Sequence, residues 1–369
     1  MKKVLFLYLK AFSFTGGIEK FNCSFLKALH ELSIEGHISA GAFSMYDNTV
    51  DEKYFSKNRF KGFGGSRLYL VCSAIYCALK YDVLILGHIN LAIVGLLVKK
   101  IKPSIQLVLV AHGIEVWDSK TRFKQQLLQK ADIILAVSSF TKAKILEQNP
   151  LIRESYIQIF NNTIDPYFAL PTKFNKPNYL MQRYGIVSNE QVLLTVTRLS
   201  STEKYKGYDN TIAVIKSINQ QTTKKVHYLI CGKYDAAEFE RVKRLIEQHD
   251  ASTFVQLAGF IKDEELIDHY LLADVFVMPS KKEGFGIVFI EAMACGRKVI
   301  AGNKDGSVDA LQNGELGKLI DPDDKEALLE AIEASLEEST IHPFLLQQRI
   351  LDTFGFNRYK ARLKQYLGV

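Results

Sequence analysis

Two carboxylates, Glu283 and Glu291, bracket a glycine-hinged turn, Glu283-Gly284-Phe285-Gly286-Ile287-Val288-Phe289-Ile290-Glu291, that runs into a predicted helix. A helix start built on small residues leaves backbone N–H groups unpaired at the positive end of the helix dipole, which is a seat for phosphate. Glu283 precedes that seat and Glu291 follows it about two turns into the helix, so the pair can hold two parts of one ligand. A ligand with a central phosphate and hydroxyls at both ends, the layout of a nucleotide sugar, fits. A solvated helix start with incidental acids is the competing reading.

Cations at a second loop suit the same ligand. Arg198 ends a predicted strand and Lys206-Gly207 opens the next helix. Arg offers a planar fork and Lys a mobile point charge to a diphosphate, and fixed cations there stabilise a departing phosphate more than a bound one. A surface ion pair with Glu203 or Asp209 is the alternative, and it suits Lys204 better than Arg198. Lys204 and Lys206 both remain candidates for the phosphate contact; Gly207 favours Lys206. Thr15-Gly16-Gly17-Ile18-Glu19 closes the loop after the first strand, where backbone amides can approach an oxyanion or simply make a tight turn. His112-Gly113 follows another strand, where the imidazole can bond a sugar hydroxyl, carry a proton, or be a satisfied loop residue.

These groups need elements to position them, and the chain supplies a regular alternation. Apolar runs at 4–9, 37–43, 82–88, 106–112, 132–138 and 156–160 predict strands, with helices at 18–32, 67–79 and 124–130 among them. The rhythm restarts at 192–199, 227–232, 255–260, 274–279, 298–301 and 317–320. Continuous apolar strands alternating with helices predict parallel sheets covered on both faces, hence an α/β protein with two doubly wound, Rossmann-like domains. Ligands then bind beyond the carboxyl ends of the strands, in a central cleft that the domains face. We place the first domain at 1–165, a proline- and asparagine-bearing linker at 166–189, the second domain at 190–340, and a helical segment at 341–369 that returns to the first.

Composition narrows the class. Apolar residues make up 47% and charged residues 24%, as in a globular protein of two domains. No apolar run reaches membrane-spanning length, and the N-terminal Met1-Lys2-Lys3 leads into a short buried strand rather than a signal segment. Five cysteines without metal spacing predict reduced core thiols, no metal site and a cytoplasmic location. Residues 1–170 carry 21 Lys+Arg against 13 Asp+Glu, and the remainder 26 against 27. The basic first half, concentrated at 53–67, 99–102 and 120–130, suits an anionic membrane leaflet, a phosphorylated acceptor or ordinary solvation. No nucleic-acid recognition motif accompanies it.

Together these motifs resemble the retaining glycosyltransferases of family 4, of the two-Rossmann GT-B type. Glu283 and Glu291 match the E-x7-E signature, Arg198 and Lys206 the phosphate pair, Gly16-Gly17-Ile18-Glu19 the GGxE loop and His112-Gly113 the HG element. Asn162-Thr163-Ile164-Asp165 resembles the interdomain NGVD segment, though Thr163 stands where glycine is usual, and Asp305–Asp309 and Gly317–Pro322 also fit.

The resemblance implies transfer of a sugar from a nucleotide-diphosphate sugar to an acceptor hydroxyl with retention, without metal or other cofactor. Glu283 and His112 would contact the sugar, Glu291 the ribose, and 255–261, ending at Ile261, the base. Arg198 and Lys206 would clamp the diphosphate, assisted by the amides of Gly17 and of the turn Gly286, Ile287 and Val288, with Gly16, Gly284 and Phe285 completing the donor-binding set. Asp321-Pro322-Asp323 reads as a turn rather than a metal motif. Implied partners are a glycan or lipid-linked acceptor and the inner face of an anionic membrane, as in bacterial surface polysaccharide assembly. A GT-B epimerase, a phosphorylase or a non-catalytic subunit would share the architecture. A nicotinamide dehydrogenase is disfavoured by the missing GxGxxG.

Overall fold

The computed structural model describes residues 1–13, 16–117, 121–337 and 342–369. Thr15 of the glycine turn, Lys120 of the third basic cluster and the expected boundary at 340/341 lie outside them. The chain forms two compact units, Met1–Tyr167 with Phe354–Val369, and Phe168–Thr353.

The first unit is built on a parallel sheet of β1 (Lys2–Tyr8), β2 (Ile38–Ser44), β3 (Phe60–Gly62), β4 (Val83–Leu86), β5 (Gln106–Ala111), β6 (Ile133–Ala136) and β7 (Ile157–Ile159), in the order 3-2-1-4-5-6-7. β1 is central: Val4 faces Ala40 on one side and Val83 on the other. Its residues Val4 to Tyr8 are fully buried, because a middle strand covered by helices on both faces has no solvent side. The order reverses beside β1, which places the ligand-binding edge at the loops after β1 and β4. The short edge strand β3 was not among the expected strands; three residues give no periodicity to read.

The second unit repeats the plan with β8 (Gln191–Val196), β9 (Val226–Cys231), β10 (Val255–Gly259), β11 (Val275–Met278), β12 (Lys298–Gly302) and β13 (Lys318–Ile320), all parallel, in the order 10-9-8-11-12-13. Its reversal lies between β8 and β11. The twelve strands expected from the sequence correspond to twelve of these thirteen, shorter by a residue or two at most ends.

Two stretches differ from expectation. The linker placed at 166–189 contains the helix Asn178–Tyr184, and residues from Phe168 onward belong to the second unit. Leu180 is buried there, and Arg183 makes a two-pronged contact with Glu265 at 2.8 and 2.9 Å. The final segment is two helices, Pro343–Phe354 and Phe356–Leu367, broken at Gly355. Gln347 of the former bonds Pro171 and Ala294 carbonyls in the second unit. The latter packs in the first unit, where Lys360 reaches Glu31 and Glu35 at 2.8 and 2.6 Å. The cysteines also divide: Cys23, Cys231 and Cys295 are buried, but Cys72 is exposed.

Candidate active site

In the second unit the loops after β8, β11 and β12 meet at the carboxyl edge of the sheet. Lys206 and Glu283 come together there, with Nζ 2.5 Å from Oε1 and side-chain exposures of only 14% and 15%. Burial pulls the Lys206 ammonium down, but the charge and hydrogen bond of Glu283 outweigh it and hold the pKa above its ordinary value. The two loops are stitched by the Lys281 amide, which donates to the Tyr205 carbonyl at 3.0 Å. Gly207 lets them approach: at φ 86° it occupies the left-handed region, and a Cβ there would lie 2.2 Å from the Pro279 oxygen.

The Glu283 loop is held from behind by Asp305. Its Oδ2 accepts from the Glu283 amide at 2.7 Å and its Oδ1 from the Ser307 amide at 2.9 Å. In return the Gly306 amide donates to the Glu283 carbonyl at 2.8 Å. A Cβ on Gly306 would sit 2.0 Å from the Gly284 oxygen, so only glycine permits this approach. Asp305 is fully buried, and burial, reinforced by the Glu283 charge, pushes its pKa up to about 6 against the amides that favour the carboxylate. The helix Ile287–Ala294 starts directly after Gly286, so the N–H groups of the Gly284–Val288 turn lie beside the Lys206–Glu283 pair in sequence and in space.

Arg198 sits on the same edge but faces outward. It is 67% exposed and pairs with Glu203, the ion pair that the sequence reading gave to Lys204 in preference. Lys204 itself is exposed. Ile261 follows β10 on that edge and is half-buried. Glu291 lies one helical turn in, 1% exposed, with Oε2 accepting from the Tyr270 hydroxyl at 2.8 Å. Asp321 and Asp323 are occupied as counter-ions of Lys304 and Lys281 in a turn before the helix Lys325–Glu337.

The remaining expected residues line the carboxyl edge of the first sheet. Gly16, extended at φ −170°, precedes the helix Gly17–Ile34, and a Cβ on Gly17 would meet nothing within 4 Å. His112 follows β5; its Nε2–H donates to the Gly87 carbonyl at 2.8 Å, which leaves Nδ1 as the acceptor, and its backbone amide donates to Glu115 at 2.6 Å. Burial lowers the His112 pKa, with Glu115 opposing, so the ring is neutral near pH 7. His88, after β4, lies with its ring centroid 6.4 Å away. Its Nδ1 accepts from the Asn90 amide at 3.0 Å, and burial, then His112 and Lys124, lower its pKa to about 3. Thr163 is not among the residues with positive φ; its hydroxyl instead donates to the Phe354 carbonyl at 2.7 Å, tying the returning chain. The missing glycine therefore costs no strain.

Sequence reasoning missed Tyr270 and His88 as partners of the site, and named Asp305 only as part of a motif. Tyr270 meets Glu291 across 21 residues and carries no local signal. Asp305-Gly306 could have been found, because an acid beside a glycine after a buried strand marks a loop that others approach closely.

Residues 179–349 match the family model described as glycosyl transferases group 1. Among curated relatives, the chain is 27% identical over 233 residues to the GDP-mannose-dependent alpha-(1-6)-phosphatidylinositol monomannoside mannosyltransferase of Mycobacterium tuberculosis, covering 60% of this chain. That match spans only 58% of the relative's own length. The fold is similar to that of Anabaena HepE in complex with UDP and glucose, with a TM-score of 0.74, 20% identity and full coverage of both chains. It is also similar to sucrose-phosphate synthase from Thermosynechococcus elongatus, with a TM-score of 0.76, 18% identity and coverage of 100% and 98%. These likenesses show the GT-B architecture of two Rossmann-like units.

Proposed function

We propose that this chain, whose residues 179–349 match the family model described as glycosyl transferases group 1, is a retaining transferase that moves a hexose from a nucleotide-diphosphate sugar to an acceptor hydroxyl. The observation that carries the reading is the inward-facing Lys206–Glu283 pair beside a helix start. Among the described residues each is the other's only ion-pair partner, and the pair joins a phosphate-type cation to a sugar-type acceptor.

In this reading the diphosphate displaces Glu283 from Lys206. The cation then neutralises the phosphate, and the released carboxylate accepts hydroxyls of the sugar. Arg198 swings from Glu203 to the same diphosphate, and the amides of Gly286–Val288 donate to it. The donor C1–O bond to phosphate breaks while the acceptor oxygen bonds to C1 on the same face. The acceptor proton passes to the departing phosphate oxygen, so the charges balance without a further base. Lys206 and Arg198 supply the positive charge that the leaving group needs.

His112 offers Nδ1 to a sugar hydroxyl, and Gly17 leaves room for phosphate beside the first helix, whereas the space at Gly16 is taken by the Glu19 carboxylate, 2.5 Å from where a Cβ would lie. Glu291 takes the ribose hydroxyls, which requires donor binding to uncover its buried carboxylate; Ile261 adjoins the base. A lipid-linked or glycan acceptor in bacterial surface polysaccharide assembly, at the inner face of the cytoplasmic membrane, fits the basic first half of the chain.

The test is a thermal-shift panel of uridine-, guanosine- and adenosine-diphosphate hexoses, followed by product analysis by proton NMR. One donor should raise the melting temperature, and its sugar should be transferred with its anomeric configuration kept. A panel with no shift and no transfer would sink the reading.

A further inference from the structure

A surface helix ordinarily turns charge outward and apolar side chains inward. Two neighbouring helices of the first unit, Arg67–Ala78 and Ala92–Ile101, do not. Their inner faces bury Leu70, Ala74, Val94 and Val98, as expected. Their outer faces are apolar as well: Leu68 is 82% exposed and Tyr76 66%, with Tyr69, Ile93, Leu97 and Ile101 also open. Leu68, Cys72, Tyr76 and Leu79 recur at helical spacing along one stripe, and Ile93, Leu97 and Ile101 along the other. The helices pack side by side, so the stripes make one surface.

The segment that carries these helices is one-sided in charge. From residue 61 to 102 the chain has six Lys and Arg but a single carboxylate, Asp82. Of these cations Lys99 pairs with Asp132; the others have no ion-pair partner among the described residues. The Lys61 ammonium lies over the Tyr69 ring at 4.2 Å and the Lys80 ammonium over Tyr76 at 5.3 Å, so positive charge sits against the aromatic groups of the stripe.

We propose that this face of the first unit seats on an anionic lipid bilayer. Exposed leucine, isoleucine and tyrosine would enter the headgroup boundary while the rim of lysine and arginine meets lipid phosphates. A protein partner fits less well, because lysine is depleted from protein interfaces and here it frames the apolar stripe. The surface deepens the membrane part of the reading above, and rests on it only for the acceptor that such a membrane would carry.

The experiment is co-sedimentation of the full chain, without donor, with phosphatidylcholine vesicles containing or lacking phosphatidylglycerol. Binding should require phosphatidylglycerol and weaken at high salt. The double variant Leu68→Glu with Tyr76→Glu should bind about tenfold more weakly or worse, with an unchanged melting temperature and unchanged transfer to a soluble acceptor. A second variant, Lys80→Glu with Lys100→Glu, should lose binding while leaving every apolar residue of the stripe in place. The proposal is overturned if the wild type stays in the supernatant with phosphatidylglycerol vesicles, or if both variants pellet as it does. It also fails if light scattering finds a dimer that Leu68→Glu dissolves. Transfer is measured separately, so failure here leaves the catalytic reading standing.

Discussion

Lys206 Nζ lies 2.5 Å from Glu283 Oε1, although 77 residues separate them in the chain. The pair closes the carboxyl edge of the second sheet and makes each group the other's counter-ion where a diphosphate sugar is proposed to bind. Breaking such a pair by removing one partner strands the other charge.

Replacing either member should therefore affect stability and turnover together. Glu283→Gln and Lys206→Met should each lower stability by about 1–3 kcal/mol, less than for a fully buried pair because both side chains touch solvent. The double variant should lose less than the sum, as urea titration would reveal. Transfer should fall about a hundredfold or more in each. If Glu283→Gln transferred sugar at the wild-type rate, the role proposed for that carboxylate would be wrong.

Asp305 should leave a signature in the pH dependence of stability. Burial keeps it protonated in the folded chain up to about pH 6, whereas an unfolded aspartate ionises near 3.9. Between those values the folded state holds the extra proton, so this group's contribution falls as pH rises from about 4 to about 6 and is constant above. The whole effect is about 3 kcal/mol. Subtracting the profile of Asp305→Asn from that of the wild type, by denaturant midpoints, should isolate a slope of that sign. A flat difference would remove the assignment.

His88 should act with the opposite sign. It stays neutral in the folded chain down to about pH 3, while the unfolded ring charges near 6.5. Stability is therefore lost as pH falls below about 6.5, by about 3 kcal/mol at pH 4. Protonation would also remove the Nδ1 acceptor that caps the Asn90 amide. His88→Asn keeps an acceptor that cannot titrate and should flatten the acid limb. An unchanged limb would point to other groups.

Tyr270 should position Glu291 rather than touch the reacting atoms. Tyr270→Phe deletes one hydrogen bond to a buried carboxylate, which costs about 1–3 kcal/mol. If Glu291 binds the ribose, the KM for donor should rise about tenfold with kcat little changed, since ribose is remote from the bond that breaks. A loss in kcat alone would contradict that placement.

Much of this molecule was written locally. Strands buried on both faces must be apolar throughout, so Val4 to Tyr8 and Val275 to Met278 announced themselves, and their alternation with helices required parallel doubly wound sheets. The loops that follow such strands had to carry the polar site, which is why Lys206, Glu283 and His112 were legible as candidates before any coordinates. Their partners were not. Glu283 lies against Lys206, Glu291 against Tyr270 and His112 against Gly87 because strand order and loop approach bring distant residues together, and no spacing in the chain encodes that. Tertiary packing alone decided that Arg198 turns outward to Glu203, that 178–184 folds onto the second unit, and that Phe356–Leu367 returns to the first. It also decided which side of the helix Arg67–Ala78 meets solvent. A helix apolar on every side has no periodicity from which its outward face can be read.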